Sequence, residues 1–112
     1  MRKLPAAVLV AAASAVLAAQ AAAAGRSIKI GDDFYVRKGD PPTVTVKTGT
    51  RVTWRWTGRE MHNVAVTRGP ARFHSPLKDE GTYARTPNRT GTYTIVCTIH
   101  QPDMAMKLKV TR

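Results

Sequence analysis

Apolar residues recur at every second position through most of the chain after Ser27. This alternation is typical of strands with one buried face, and no segment of this part keeps the apolar spacing of a helix. We predict eight short strands. They comprise Ile28 and Ile30; Phe34 to Val36; Val44 and Val46; Val52, Trp54 and Trp56; His62, Val64 and Val66; Thr82 to Thr86; Tyr93, Ile95 and Cys97; and Met106, Leu108 and Val110. Such a series predicts an all-β fold, a Greek-key β-sandwich.

Glycine, proline and asparagine separate these segments, as tight turns between strands require. The turn signals are Gly39 to Pro42, Thr48-Gly49, Thr57-Gly58, Arg68 to Pro70 and Pro87 to Gly91. The segment from Ala71 to Gly81 has no period of its own. We expect it to cross an edge of the sandwich as a loop, with or without a short helical turn.

The first 24 residues differ in composition from the rest. Arg2 and Lys3 precede an alanine-rich apolar run, and the small residues up to Ala24 offer a cleavage site. This is the pattern of a secretory signal peptide, which a cell removes on export. An uncleaved anchor helix is the alternative, since the run approaches the length of a membrane span. We expect residues 1–24 to be the signal peptide, and residues 25–112 to form one exported domain, periplasmic or extracellular.

The chain is strongly basic, with 18 Lys and Arg against 7 Asp and Glu and a net charge of +11. Loss of residues 1–24 removes two basic residues and no acid, which leaves +9. A basic surface favours an acidic partner, here an acidic redox protein. The basic residues stand singly between apolar ones, without a basic run or arm, so nucleic acid is not expected as a partner. We expect a monomer, without stable membrane insertion after cleavage.

A single cysteine, Cys97, stands in a chain that carries an export signal. It cannot form an internal disulfide, and a free thiol outside the cytoplasm is exposed to oxidation. The sequence therefore predicts that a bound group or burial protects this thiol.

Cys97 lies where a predicted strand enters a loop that also holds His100 and Met104. Together they offer a thiolate, an imidazole and a thioether, a soft and borderline donor set suited to copper. His62 supplies a further imidazole from 35 residues earlier, and loops at one end of a sandwich are neighbours despite such separation. Zinc is less suited, because a thioether is a poor zinc ligand. Each residue alone has an ordinary structural role, as core or surface.

The chain resembles the cupredoxin family of type 1 (blue) copper proteins, most closely its plastocyanin- and amicyanin-like members. The resemblance covers nearly all of residues 25–112. Its elements are Phe34, the run from Val44 through Gly49 and Val52 to Trp54, the triplet His62-Asn63-Val64, and Gly91-Thr92-Tyr93 leading to Cys97 and His100.

The resemblance implies a type 1 copper ion held by His62, Cys97 and His100, with a methionine as the weak axial ligand. Three residues separate His100 from Met104, where amicyanin-like loops have two and plastocyanin-like loops four. Met106 is the competing methionine, but it lies nearer the regular strand that feeds the core. We therefore assign Met104 as axial and Met106 as packed.

The resemblance also implies supporting roles for residues next to the ligands. Asn63 ties the two ligand loops together, and Met61 and Thr98 flank the ligands. His100, with Pro102 beside it, is the electron port at the protein surface.

The function that the resemblance implies is one-electron transfer between redox partners. A copper-binding module for delivery or storage is the alternative, although the sequence has no methionine-rich or histidine-rich tail. A β-sandwich that has lost its metal is a further alternative. An enzyme is not expected, because four protein ligands leave no open position for a substrate.

His74, the remaining histidine, is expected at the surface, with an accessory metal role as the alternative.

Overall fold

A computed structural model describes residues 25–112, and the predicted signal peptide, residues 1–24, lies outside the described residues. The described part contains eight strands. They are β1 (Arg26–Gly31), β2 (Phe34–Tyr35), β3 (Thr43–Lys47), β4 (Val52–Trp56), β5 (Ala65–Arg68), β6 (Thr82–Arg85), β7 (Gly91–Val96) and β8 (Ala105–Thr111). None of the described residues forms a helix that is long and apolar enough to cross a membrane.

The strands form two four-stranded sheets, ordered β2-β1-β4-β6 and β3-β8-β7-β5. β1 runs parallel to β4 and β3 runs parallel to β8, while the other pairs are antiparallel. The predicted all-β sandwich is thus confirmed. Its core lies between the sheets, because alternate residues of each strand point inward. The largest buried side chains include Trp54, Tyr35, Tyr93, Ile28, Ile30 and Ile95.

The strand directions define two ends of the sandwich. β1, β4 and β7 finish at one end and β3, β6 and β8 begin there. We call this the Cys97 end, and its connections are residues 32–33, 36–42, 57–64, 74–81 and 97–104. The opposite end holds the connections 48–51, 69–72 and 86–90. The connections between the strands therefore gather at these two ends of the sandwich.

The fifth strand begins later than the sequence pattern predicts. His62 and Val64 precede β5, which starts at Ala65. His62 instead pairs with Lys78 in an isolated bridge, and Ala65 pairs with His74 in another. Residues 71–81 thus run back beside the chain that carries His62, without a helical turn. This path covers the edge of the sheet next to the candidate site.

Candidate metal centre

Three of the predicted ligands meet at the Cys97 end. The Sγ atom of Cys97 lies 3.4 Å from Nδ1 of His100 and 4.0 Å from Nδ1 of His62. Cys97 and His62 are fully buried, and the side chain of His100 is 25% exposed. The two imidazole rings are 5.0 Å apart. The fold thus brings a thiol and two imidazole nitrogens, one of them 35 residues distant, to a single point.

The cluster fits a copper ion by its donor chemistry and its spacing. The three donor atoms lie within 4.8 Å of one another. Atoms that share one ion through bonds of about 2.0 to 2.3 Å must be this close. Two imidazoles and one thiolate, with a weak axial thioether, are the donor set of blue copper sites. The thiol of Cys97 and the imidazoles of His62 and His100 therefore suit a type 1 copper ion.

β7 and the loop after it position Cys97 and His100. Cys97 directly follows β7, which ends at Val96, and the amide of Cys97 donates to the carbonyl of Met104. The amide of His100 donates to the carbonyl of Cys97, and the amide of Met104 donates to that of His100. These bonds close residues 97–104 into a compact loop. Both ends of the loop are fixed to β7 and β8, so the ligands it carries are held in place.

Asp32, in the turn between β1 and β2, orients the ring of His62 from the side opposite Cys97. Nε2 of His62 lies 3.0 Å from Oδ1 of Asp32, on the side of the ring away from Cys97. A hydrogen on Nε2 that is donated to this carboxylate leaves Nδ1 free to face the thiol. Asp32 also accepts hydrogen bonds from the amides of Arg59 and Glu60 at 3.0 Å. The amide of Glu60, the ring of His62 and the amide of Arg59 hold the pKa of Asp32 at about 2.

His100 has an analogous neighbour, because Nε2 of His100 lies 3.2 Å from Oδ1 of Asp33 and 3.9 Å from Oε1 of Glu60. Asp33 has a φ of +72°, an uncommon conformation for a residue other than glycine that aspartate tolerates better than most. The two adjacent aspartates of one turn thus contact the two imidazoles of the cluster. In both cases the contact is at the nitrogen remote from Cys97.

Asn63 joins the two loops that carry the ligands. Its side-chain oxygen accepts from the amide of Thr98 at 2.8 Å, and its nitrogen donates to the Thr98 hydroxyl at 3.1 Å. The Tyr35 hydroxyl donates to the carbonyl of Asn63 at 2.6 Å, and burial raises the pKa of Tyr35. The Trp56 ring nitrogen donates to the carbonyl of His62 at 3.2 Å. The segment around His62 is therefore fixed on both sides by buried hydrogen bonds.

The two methionines occupy different places in the loop and the strand. Met104 ends the ligand loop and is 1% exposed, and Met106 lies within β8 opposite Ile95. Both belong to the buried core. Met104 is the last residue of the loop that carries Cys97 and His100, so its assignment as the axial ligand and that of Met106 as the packed methionine stay predictions.

Other candidate residues lie at the surface. Met61, next to His62, is 45% exposed, and Pro102 is exposed in the ligand loop. His74 is exposed, and it lies outside both groups of possible ligands found in the part of the chain that the structure describes. Its contact is the strand bridge with Ala65.

Sequence reasoning missed Asp32 and Asp33. The pair stands between two predicted strands and has no periodicity, so it reads as an ordinary polar turn. Metal-bound imidazoles usually donate their second N–H to a carboxylate or a carbonyl. A search for carboxylates in turns at the predicted metal end would have found the pair.

The family model for copper-binding proteins of the plastocyanin/azurin family matches residues 36–111. Amicyanin-alpha of Methylorubrum extorquens is 38% identical over 104 residues, which span 88% of this chain and 83% of that protein.

Solved structures of amicyanin variants share the fold. One is an oxidised variant with methionine replaced by leucine, 32% identical, with a TM-score of 0.62. Another is the Cu(I) form of a variant with methionine replaced by alanine, 34% identical, with a TM-score of 0.61. Each comparison covers 77% of this chain and 81% of the other.

Proposed function

This chain belongs to the plastocyanin/azurin family of copper-binding proteins, and from that premise we propose that His62, Cys97, His100 and Met104 hold the type 1 copper ion through which it carries electrons. The observation that carries the proposal is the cluster at the Cys97 end, in which Nδ1 of both histidines lies within 4.0 Å of the Cys97 thiol. When bound, the copper supplies a one-electron couple between its two oxidation states.

The protein's part in electron transfer is to keep the ligands in place. The carboxylate of Asp32 fixes the ring of His62, and the side chain of Asn63 links that segment to Thr98 beside Cys97. The Met104 and Cys97 backbones close the ligand loop. Ligands held in this way move little when the charge at the centre changes, so little reorganisation opposes the transfer.

His100 offers the route to the surface. It is the partly exposed member of the cluster. Met61, Ile99 and Leu77 are the exposed large apolar side chains among the described residues, at 45%, 53% and 43%. Met61 and Ile99 precede the two histidine ligands in the chain, and Leu77 precedes the bridge partner of His62. An apolar surface around the exposed ligand excludes water from a contact, so we propose that electrons enter and leave through His100, beside Pro102.

We propose that residues 1–24 direct export to the periplasm or the cell exterior, where the buried position of Cys97 protects its thiol. The net basic charge supports long-range attraction to an acidic redox protein. We propose a monomeric carrier without catalytic activity, since the cluster with Met104 offers four protein ligands and no free position for a substrate.

Voltammetry of residues 25–112 loaded with copper tests the electron-carrier role. We expect a reversible one-electron couple, with the copper retained in both oxidation states. His62→Gln removes a ligand and should abolish the couple, whereas His74→Gln changes an exposed histidine outside the cluster and should leave it intact. Release of copper on each reduction would instead support the alternative role in copper delivery or storage.

A further inference from the structure

The charges of this basic protein are segregated along the axis of the sandwich. All seven acidic residues of the sequence lie in connections at the Cys97 end: Asp32, Asp33, Asp40, Glu60, Asp79, Glu80 and Asp103. Those same connections hold four basic residues: Arg37, Lys38, Arg59 and Lys78. The Cys97 end therefore has a net charge of −3. The rest of the described chain has twelve basic residues and no acid.

The acidic side chains are displayed at the surface around the candidate site. Six of the seven are exposed, and Asp32 is partly so. Asp33 and Glu60 lie within 4 Å of the outer nitrogen of His100. Asp103 lines the same surface cavity as Asp32 and Asp33, together with Arg37 and Lys38. The exposed apolar side chains of Met61, Leu77 and Ile99 thus lie in the same connections of the Cys97 end as these carboxylates.

Distance determines which charges a docked partner experiences. Seven residues of β8 span the sandwich, about 20 Å at roughly 3.3 Å per residue. The screening length is about 10 Å at 0.1 M salt. Charges at the opposite end are therefore about two screening lengths from His100, whereas Asp33 and Glu60 contact it. Some basic residues of the strands lie nearer, such as Lys29 beside Phe34 and Lys107 beside Pro42, but the carboxylates of Asp33 and Glu60 are the charges that contact His100.

We propose that the Cys97 end, with its apolar centre and acidic rim, docks a partner whose own electron-transfer site has a basic rim. This rests on the proposed function, because it assumes that electrons pass through His100. Charge then acts in two ways, over long range through the whole protein and at contact through the Cys97 end. The net positive charge acts on a distant and acidic protein, while the contact surface selects a basic patch on whatever protein docks.

Two inorganic oxidants of opposite charge measure the local charge at the electron port. The copper-loaded, reduced protein is mixed with hexacyanoferrate(III), an anion, or with tris(phenanthroline)cobalt(III), a cation, at about 0.1 M ionic strength. The observable is the ratio of the cation rate constant to the anion rate constant. A change in reduction potential alters both rate constants in the same direction, so the ratio reports mainly on charge.

Matched variants add two positive charges at either end of the sandwich. Glu60→Gln with Glu80→Gln acts at the Cys97 end, and Asn88→Lys with Thr90→Lys acts in the exposed β6–β7 connection at the opposite end. We expect the first pair to lower the ratio severalfold and the second to change it by less than twofold. Equal changes in the two variants would overturn the proposal, because the net charge would then control the approach.

A basic haem protein, cytochrome c, provides the test with a macromolecule. We expect its rate of reduction to fall as salt rises from about 0.1 M to about 0.5 M, although both proteins carry net positive charge. A rate that rises with salt would mean repulsion and would contradict the proposed surface. Failure of electron exchange with every oxidant would instead contradict the proposed electron-carrier function.

Discussion

The two ends of the sandwich fix their loops in different ways. At the Cys97 end, polar side chains bind the backbone of neighbouring loops, as Asp32 does with Arg59 and Asn63 does with Thr98. At the opposite end, backbone groups bind one another, as the amide of Gly49 does with the carbonyl of Pro87. Glycines in left-handed conformations, Gly49 and Gly91, permit these tight turns. The loops at the Cys97 end are therefore joined by short polar side chains that contact the ligand segments, whereas the opposite end combines backbone pairs with the side chains of Arg89 and Tyr93, which donate to the carbonyls of Pro70 and Arg89.

The largest expected effect is at the link between the two ligand loops. Replacing Asn63 with Ala removes a buried side chain together with its two hydrogen bonds to the amide and hydroxyl of Thr98. We expect a loss of about 2 to 4 kcal/mol in the unfolding free energy. Denaturant titration of the copper-free protein measures it. Asn88→Ala, at an exposed position of the opposite end, is the control and should cost less than about 0.5 kcal/mol. A cost near the control value for Asn63→Ala would contradict this difference between the ends.

A smaller effect is expected at the opposite end when Gly91 is replaced by Ala. Gly91 has a φ of +138°, and a Cβ there would lie 2.6 Å from Cγ of Pro70. We expect a loss of about 1 to 3 kcal/mol, with an unchanged copper spectrum. Gly49→Ala meets no atom within 4 Å and has only the conformational cost, so it should lose less, about 1 kcal/mol. An altered copper spectrum in Gly91→Ala would show that the two ends are not independent.

The strands could be predicted from the sequence because alternation responds directly to burial on one face. Trp54 and Ile95 are buried at the positions that the pattern indicates. Cys97 and His100 could be recognised because their donor chemistry is rare in so short a segment. The start of β5 was predicted wrongly, since His62 and Val64 alternate like strand residues although His62 pairs only with Lys78.

The contacts of Asp32 and the segregation of charge could not be read from the sequence. The acids are spread from position 32 to position 103, and only the strand directions bring them to one end. The same holds for the hydrogen bond from His62 to Asp32, which joins residues 30 apart in the chain. Interactions between loops depend on topology, and no local pattern encodes them.

The two aspartates that contact the imidazoles permit a comparison within the Cys97 end. A carboxylate that accepts from an imidazole strengthens the ring as a donor, which favours oxidised copper. We expect Asp32→Asn to weaken the preference for oxidised over reduced copper by up to about tenfold. This raises the reduction potential by about 30 to 60 mV, because a tenfold change in the equilibrium constant corresponds to about 59 mV for one electron. Asp33→Asn should raise it less, because the Asp33 side chain is 59% exposed. Voltammetry measures both, and an unchanged or lower potential in Asp32→Asn would contradict the role of this carboxylate.

The smallest effect is expected in the acid stability of the copper-free protein. Folding lowers the pKa of Asp32 from 3.8 to about 2, so its carboxylate stabilises the fold fully above about pH 4. This contribution is lost as the pH falls toward 2. The difference in unfolding free energy between the original protein and Asp32→Asn should therefore narrow between pH 5 and pH 2. Denaturant titrations over this range test the trend, and a constant or widening difference would exclude it.

The visible and EPR spectra of residues 25–112 reconstituted with Cu(II) test the central claim most directly. If Cys97 binds the copper together with His62 and His100, an intense thiolate-to-copper band and the EPR signal of a type 1 site should appear. Both should disappear in Cys97→Ser, whereas His74→Gln should retain them. Absence of the band in the original protein, or its survival in Cys97→Ser, would contradict the type 1 copper centre.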